Sequence, residues 1–169
     1  ITSGTILVLG AGVGRESIAL AQRGFLVVGL DINRESLCVA SQQSVTNCPK
    51  PLFAQADFLA IPIGMAQVDY VFMSGIMYSS IPGRQRRQAW LRSRRLCMNG
   101  DGLLVLNFLV AREMDTRTHR FIHRLNRWLI RLPGANQSYQ FGDTCSQSHF
   151  LHAFVDEEEI RSELRDAGA

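Results

Sequence analysis

Residues 5–31 read TILVLGAGVGRESIALAQRGFLVVGLD, and the order of events along them decides the fold. Residues 5–9 are an unbroken apolar run between Gly4 and Gly10, the pattern of a strand buried on both faces. Gly10, Gly12 and Gly14 follow at alternate positions, and none carries a side chain that would hold a ligand away from the main chain where a strand turns into a helix. Residues 16–23 then place Ile18, Ala19, Leu20 and Ala21 in a helix that Gly24 closes, and residues 25–30 form a second buried strand. Asp31 stands at the carboxyl end of that strand. A carboxylate there accepts hydrogen bonds from two ribose hydroxyls, while the helix start faces the other end of the ligand. Strand, glycine turn, helix and strand together predict an α/β protein with a doubly wound, mostly parallel, Rossmann-like sheet and helices on both faces.

The stretch resembles the first motif of the class I S-adenosylmethionine (SAM) dependent methyltransferases. The form GxGxGR, with an acid at the end of the second strand, is close to their small-molecule branch. The dinucleotide pattern GxGxxG fits less well, because it asks for glycine at Arg15, where a long side chain obstructs packing of helix on strand and crowds a pyrophosphate. The resemblance implies SAM as cofactor and direct displacement of its sulfonium methyl by a small-molecule acceptor. It implies that Gly10, Ala11, Gly12 and Gly14 approach the methionine part, that Arg15 meets its carboxylate and that Asp31 holds the ribose. Asp57 and Phe58 then frame the adenine, and Ile32 and Ser74 complete the predicted cofactor-binding set. The chain departs from the family at Val8, where an Asp or Glu usually helps hold the cofactor's amino group. Two alternatives stay open: a nicotinamide (NAD) dependent oxidoreductase, which shares the ribose acid, and a catalytically silent binding module, for which Val8 is the argument.

With 169 residues, 46% of them hydrophobic, the chain is long enough to bury one core without staples, and a single domain over 1–169 is expected. It contains no run of about 18 or more apolar residues and no signal-peptide pattern. A cytoplasmic fragment of a longer protein is therefore expected. Cys38, Cys48, Cys97 and Cys145 form no CxxC pair and no metal spacing, so reduced, mostly buried thiols and no metal are predicted. The net charge of +3 is small, although all but one of the eighteen basic residues are arginine.

Further along, Asn33 caps a helix predicted over 34–45, residues 52–55 form a short third strand, and residues 68–73, VDYVFM, form the fourth with a structural acid at Asp69. Asp57 has a plainer possible role as the cap of the turn that follows it. Ser74 and Gly75 fall at the sheet edge where ligands sit in such folds. The segment SGIMYSSIPG lacks the Asn/Asp-Pro-Pro-aromatic sequence of base-amine methylation and the Pro-Cys nucleophile of cytosine methylation, so DNA is disfavoured, while RNA and protein acceptors stay open. Residues 84–98, RQRRQAWLRSRRLCM, form an arginine-rich helix with one solvated face, and without an aromatic or glycine-rich companion it does not argue for nucleic acid. NGDG at 99–102 is a turn before a fifth strand at 103–110.

Residues 116–132 carry Phe121, Leu125, Trp128, Leu129 and Leu132 on one face and Arg120, Arg124, Arg127 and Arg131 on another. This amphipathic basic helix is read as part of a lid and substrate region over 111–155, in preference to a membrane-surface helix. His119 and His123 lie one turn apart without a third ligand, so a metal is not predicted. A polar loop over 133–148 is followed by an extended segment at 149–155 and a last helix opened by Asp156. The resembled family continues with two more strands that this chain lacks, so its fold is expected to be C-terminally incomplete. Tyr78 is the weakly substrate-facing residue, and with His149 and His152 it is a candidate base should the acceptor have to lose a proton.

Overall fold

A computed structural model describes residues 3–43, 45–61, 68–111, 125, 128, 140, 142–146 and 149–168. The chain divides into two compact units, one made of Ile1–Met77 with Trp90–Asn107 and the other of Tyr78–Ala89 with Phe108–Ala169.

The first unit is a five-stranded parallel sheet. In chain order it contains β1 (Thr5–Leu9), α1 (Arg15–Ala21), β2 (Leu26–Asp31), α2 (Arg34–Gln42), β3 (Leu52–Gln55), β4 (Val68–Met73) and β5 (Met98–Leu106), with strand order β3-β2-β1-β4-β5. All four pairings are parallel, with Leu9 opposite both Leu30 and Met73. β1 is central, and Leu7, Val8 and Leu9 are buried there, as its apolar run requires. One face of the sheet packs Ile6, Val8 and Val27 with Ala11, Ala21, Phe25 and Leu37 into a core, and Phe25 meets Tyr70 edge to face at 5.8 Å. Val8 therefore sits where a carboxylate would need a buried partner.

Several boundaries differ from the sequence reading. The first helix ends at Ala21, since the final turn tightens: the amides of Arg23 and Gly24 bond back three residues, to Leu20 and Ala21. Gly24 still takes the left-handed conformation expected of a closing glycine (φ 93°). The second helix stops at Gln42, three residues short of the predicted end. NGDG is not a turn before the fifth strand. It lies inside β5 as a bulge: Val68 and Tyr70, two apart, pair with Met98 and Leu103, five apart. A Cβ on Gly102 would come within 2.8 Å of the Asp69 carbonyl oxygen, so glycine lets the bulge close. Asp69, on β4, links the bulge to β1, accepting from the Thr5 amide at 2.8 Å and from the Asn99 side chain, and these two bonds hold its carboxyl below the usual range.

The second unit contains a 3-10 turn (Met77–Ser80, of which Tyr78–Ser80 belong here), the first half of α3 (Arg84–Arg95), β6 (Leu109–Val110), β7 (Asp143–Ser146), β8 (His149–Phe154) and α4 (Glu157–Ala167). β8 is the middle strand, parallel to β6 and antiparallel to β7. Leu109–Val110 thus leaves the predicted fifth strand for another sheet, and a strand appears within the stretch read as a polar loop. Asp156 caps α4 by accepting from the Glu159 amide at 2.9 Å, and Gly168 closes it in the left-handed conformation.

The arginine-rich helix is not simply wet on one face. Arg86, Arg92 and Arg95 are exposed, but Arg87 and Arg94, seven residues apart, are buried on the same side as Trp90 and Leu91. Cys97 is buried and Cys48 half-buried, whereas Cys38 and Cys145 are exposed, which corrects the expectation of mostly buried thiols; none of the four is in a disulfide. The predicted lid helix, its arginine face and the His119 and His123 pair lie outside the described residues, apart from Leu125 and Trp128. Those two are helical and exposed at 45% and 60%. No described helix is long and apolar enough to cross a membrane.

Candidate active site

The carboxyl ends of β1, β2, β3 and β4 lie side by side, so residues that follow those strands meet along one edge of the sheet. Gly10 and Ala11 both donate backbone amides to the Leu30 carbonyl at 2.9 Å, which lays the turn after β1 across the end of β2. The Gly12 amide donates to Asp31 Oδ2 and the Asn33 amide to Asp31 Oδ1, each at 2.8 Å. Asp31 thereby fixes the glycine turn on one side and the start of α2 on the other. The Ser74 amide donates to the Leu9 carbonyl at 2.9 Å, bringing the loop after β4 against the same turn.

The three glycines are all left-handed, with φ of 73°, 51° and 88°, but they differ in what surrounds them. A Cβ on Gly10 would lie 2.0 Å from Met77 Sδ, and one on Gly14 would lie 2.9 Å from Ala40 Cβ and 3.1 Å from Phe53 Cζ. A Cβ on Gly12 would meet nothing within 4 Å, and the same holds for left-handed Gly75 just after β4. Gly14 therefore serves packing of α1 against its neighbours, Gly10 is covered by a thioether, and the open main chain is at Gly12 and Gly75. Gly75 falls at the sheet edge that the sequence marked together with Ser74, whereas Met77 was not singled out. The signal that could have found Met77 was its place just past the end of β4.

The remaining predicted residues are placed as follows. Ala11 is buried, and Ile32 is exposed at the end of β2, its carbonyl accepting from Gln55 Nε2 at 3.0 Å. Arg15 is exposed and turned onto Glu16, with Nη2 at 2.6 Å from Oε1, and it holds that carboxyl below the usual range. Asp57 is exposed; its Oδ1 accepts from the Leu59 amide at 2.8 Å and its carbonyl from the Ala60 amide, the turn cap foreseen as its plainer role. The Phe58 carbonyl accepts from Trp90 Nε1 at 3.0 Å, with the two rings edge to face.

Tyr78 requires a correction. It has no exposed surface, its hydroxyl donates to Glu163 Oε1 at 2.5 Å, and its ring stacks on Phe154. Burial, and then the Glu163 carboxylate, push its hydroxyl far above the ordinary phenol range, so it neither faces a substrate nor serves as a base. Glu163 also takes Arg87 as a bidentate partner, at 2.8 and 2.9 Å. His152 is likewise fully buried, with Nδ1 at 2.7 Å from Asp143 Oδ1, which removes it as a candidate base; His149 is exposed on β8. No cluster of three potential metal ligands occurs among the described residues.

A family model described as a methyltransferase domain matches residues 6–100, more than half of the chain. The putative methyltransferase YqeM of Bacillus subtilis is 43% identical over 68 residues, a match that takes in 40% of this chain but only 27% of that protein. Among solved structures, a SAM-dependent methyltransferase from Methanosarcina mazei superposes with a TM-score of 0.74 at 19% identity, covering 99% of this chain and 80% of the other. One from Mesorhizobium loti gives 0.70 at 14%, covering 99% and 74%. DhpI in complex with SAH gives 0.64 at 17%, covering 98% and 68%. At these identities the structures speak for the fold.

Proposed function

The chain belongs to the methyltransferase domain family of class I SAM-dependent enzymes, and on that premise we propose that it moves a methyl group from SAM to a small-molecule acceptor. The observation that carries this reading is the bond from the Gly12 amide to the Asp31 carboxylate, beside open main chain at Gly12 and Gly75. Each Asp31 oxygen accepts one backbone amide and keeps a further lone pair. The carboxylate therefore fits a ribose diol without releasing the turn it holds. Gly12 and Gly75 leave room for the methionine part, since a Cβ on either would meet nothing within 4 Å.

Asp57 commits one oxygen to the Leu59 amide and keeps Oδ2 for an adenine amino group, with Phe58 beside it. Ile32 and Ser74 flank the ribose and methionine ends, and Arg15 swings from Glu16 to meet a carboxylate. When bound, SAM supplies a methyl group activated by a positive sulfur and so carries the reactivity itself. The protein aligns the acceptor and excludes water. That the solved neighbour DhpI is seen with SAH supports the same cofactor here. The sequence after β4, SGIMYSSIPG, has neither nucleobase signature, which disfavours DNA as the acceptor.

Calorimetry of the full chain with SAM, SAH and NAD tests the reading. SAM and SAH are expected to bind and NAD is not. Asp31→Ala should weaken SAH by about tenfold to a hundredfold, since charge-assisted bonds are worth about 1.5–3 kcal/mol, with circular dichroism checking that the variant stays folded. No binding by any of the three would instead favour a silent module, and binding of NAD alone would end the proposal.

A further inference from the structure

His152 lies at the centre of the second unit with no exposed surface, and it stands between two carboxylates. Nδ1 is 2.7 Å from Asp143 Oδ1 on β7, and Nε2 is 3.4 Å from Glu159 Oε1 on α4, an ion-pair distance without the alignment of a hydrogen bond. A neutral imidazole has one donor and one acceptor. Either tautomer would aim a bare nitrogen lone pair at one of the two carboxylates, so only the doubly protonated ring suits both neighbours.

Each of those carboxylates also holds a piece of backbone. Asp143 Oδ2 accepts from the Gln140 amide at 2.7 Å, and Glu159 Oε2 accepts from the Val155 amide at 2.8 Å. The ring thus links the entry to β7 with the junction of β8 and α4.

We propose that His152 is a proton-operated fastener: with both ring nitrogens protonated it binds the β7–β8 ribbon to the start of α4, and loss of one proton unfastens them. The inference is independent of methyl transfer. The charged groups that face the ring are Asp143 from β7, Glu159 from α4 and Arg87 from α3, the last paired with Glu163; Phe154 closes the site edge-on at 4.7 Å. Burial lowers the affinity of the ring for its second proton and Arg87 adds to this, but Asp143 and Glu159 outweigh them, so the folded value is raised. A raised value means stabilisation that is complete below the ordinary histidine pKa and is lost as pH rises through the folded one. Burial pushes Glu159 upward, yet His152 and the Val155 amide bring it below its ordinary value. Its contribution is lost only as pH falls through that lowered value, which gives the fastener an acid limit as well.

The test uses the full chain labelled with ¹⁵N-histidine, from about pH 5 to about pH 9, the span in which histidine titrates. Ring nitrogen resonances report the protonation of His152, and hydrogen exchange, expressed as protection factors, reports the ribbon. The expected result is a doubly protonated ring at neutral pH, loss of protection in β7, β8 and the first turn of α4 on the same midpoint as the ring, and no such loss in β1 or β4. Glu159→Gln, which keeps an acceptor for Val155, should lower the midpoint. A singly protonated ring at neutral pH, ribbon protection that stays flat while the ring titrates, or an unmoved midpoint in the variant would each overturn the proposal. The wild-type measurements decide the matter even if the variant does not fold.

Discussion

Replacing Gly14 and Gly12 separately by alanine distinguishes a glycine needed for packing from one needed for a ligand. At Gly14 the backbone is left-handed (φ 88°), which costs an alanine about 1–2 kcal/mol. The new methyl group would also press on Ala40 Cβ at 2.9 Å and Phe53 Cζ at 3.1 Å. Overpacking of that kind costs about 1–3 kcal/mol. Loss of glycine's freedom in the unfolded chain gives back about 0.4–1 kcal/mol, leaving a net loss of about 1–4.5 kcal/mol. At Gly12 the same backbone strain applies (φ 51°), but the methyl group enters open space, so the net loss is about 0–1.5 kcal/mol. Urea denaturation measures both differences, and calorimetry with SAH measures affinity. Gly14→Ala should be the less stable variant, whereas Gly12→Ala should lose more affinity for its loss of stability. Equal destabilisation, or an unchanged affinity in Gly12→Ala, would refute the division of labour among these glycines.

Other outcomes follow from side chains whose partners are known. Glu163→Gln strips Arg87 of its buried counter-charge, and breaking such a pair costs about 3–5 kcal/mol; urea titration should show that loss, and a variant as stable as the parent would contradict the pairing. Asp69→Asn should flatten the acid limb of stability, because a lowered carboxyl stabilises above its unfolded pKa and stops doing so as pH falls through the folded one. Thermal melts across acid pH check this, and an unchanged acid limb would remove the role given to Asp69. Tyr78→Phe should leave the pH profile of methyl transfer unmoved while lowering stability by about 1.5–3 kcal/mol for one lost hydrogen bond to a carboxylate; a basic limb that disappears would restore Tyr78 as a base.

The first half of the fold could be read from the sequence because its signals are local. The run ahead of Gly10, the alternating glycines and Asp31 sit within one strand-helix-strand unit, and the parallel sheet follows from it. Errors arose where a partner distant in sequence decided the outcome. NGDG has turn chemistry, yet its fate as a bulge depends on Asp69, 30 residues earlier. Asp143–Ser146 lacks an apolar period, with Thr144 and Cys145 exposed, and becomes a strand only because β8 pairs with it. Tyr78 looked available because Glu163, 85 residues further on, could not be seen to claim it. The site divides the same way. Asp31 and the glycine turn were legible, whereas the cover of Met77 over Gly10 was not.

The bond between Gly12 and Asp31 has a consequence for how the protein meets a ligand. A loop already clasped in its final shape gives up little chain entropy when something settles into it, so more of each contact survives as affinity. The clasp also makes the loop and the tip of β2 one mechanical piece. Any change that shifts that tip will travel to the cradle, even from a residue that no ligand touches.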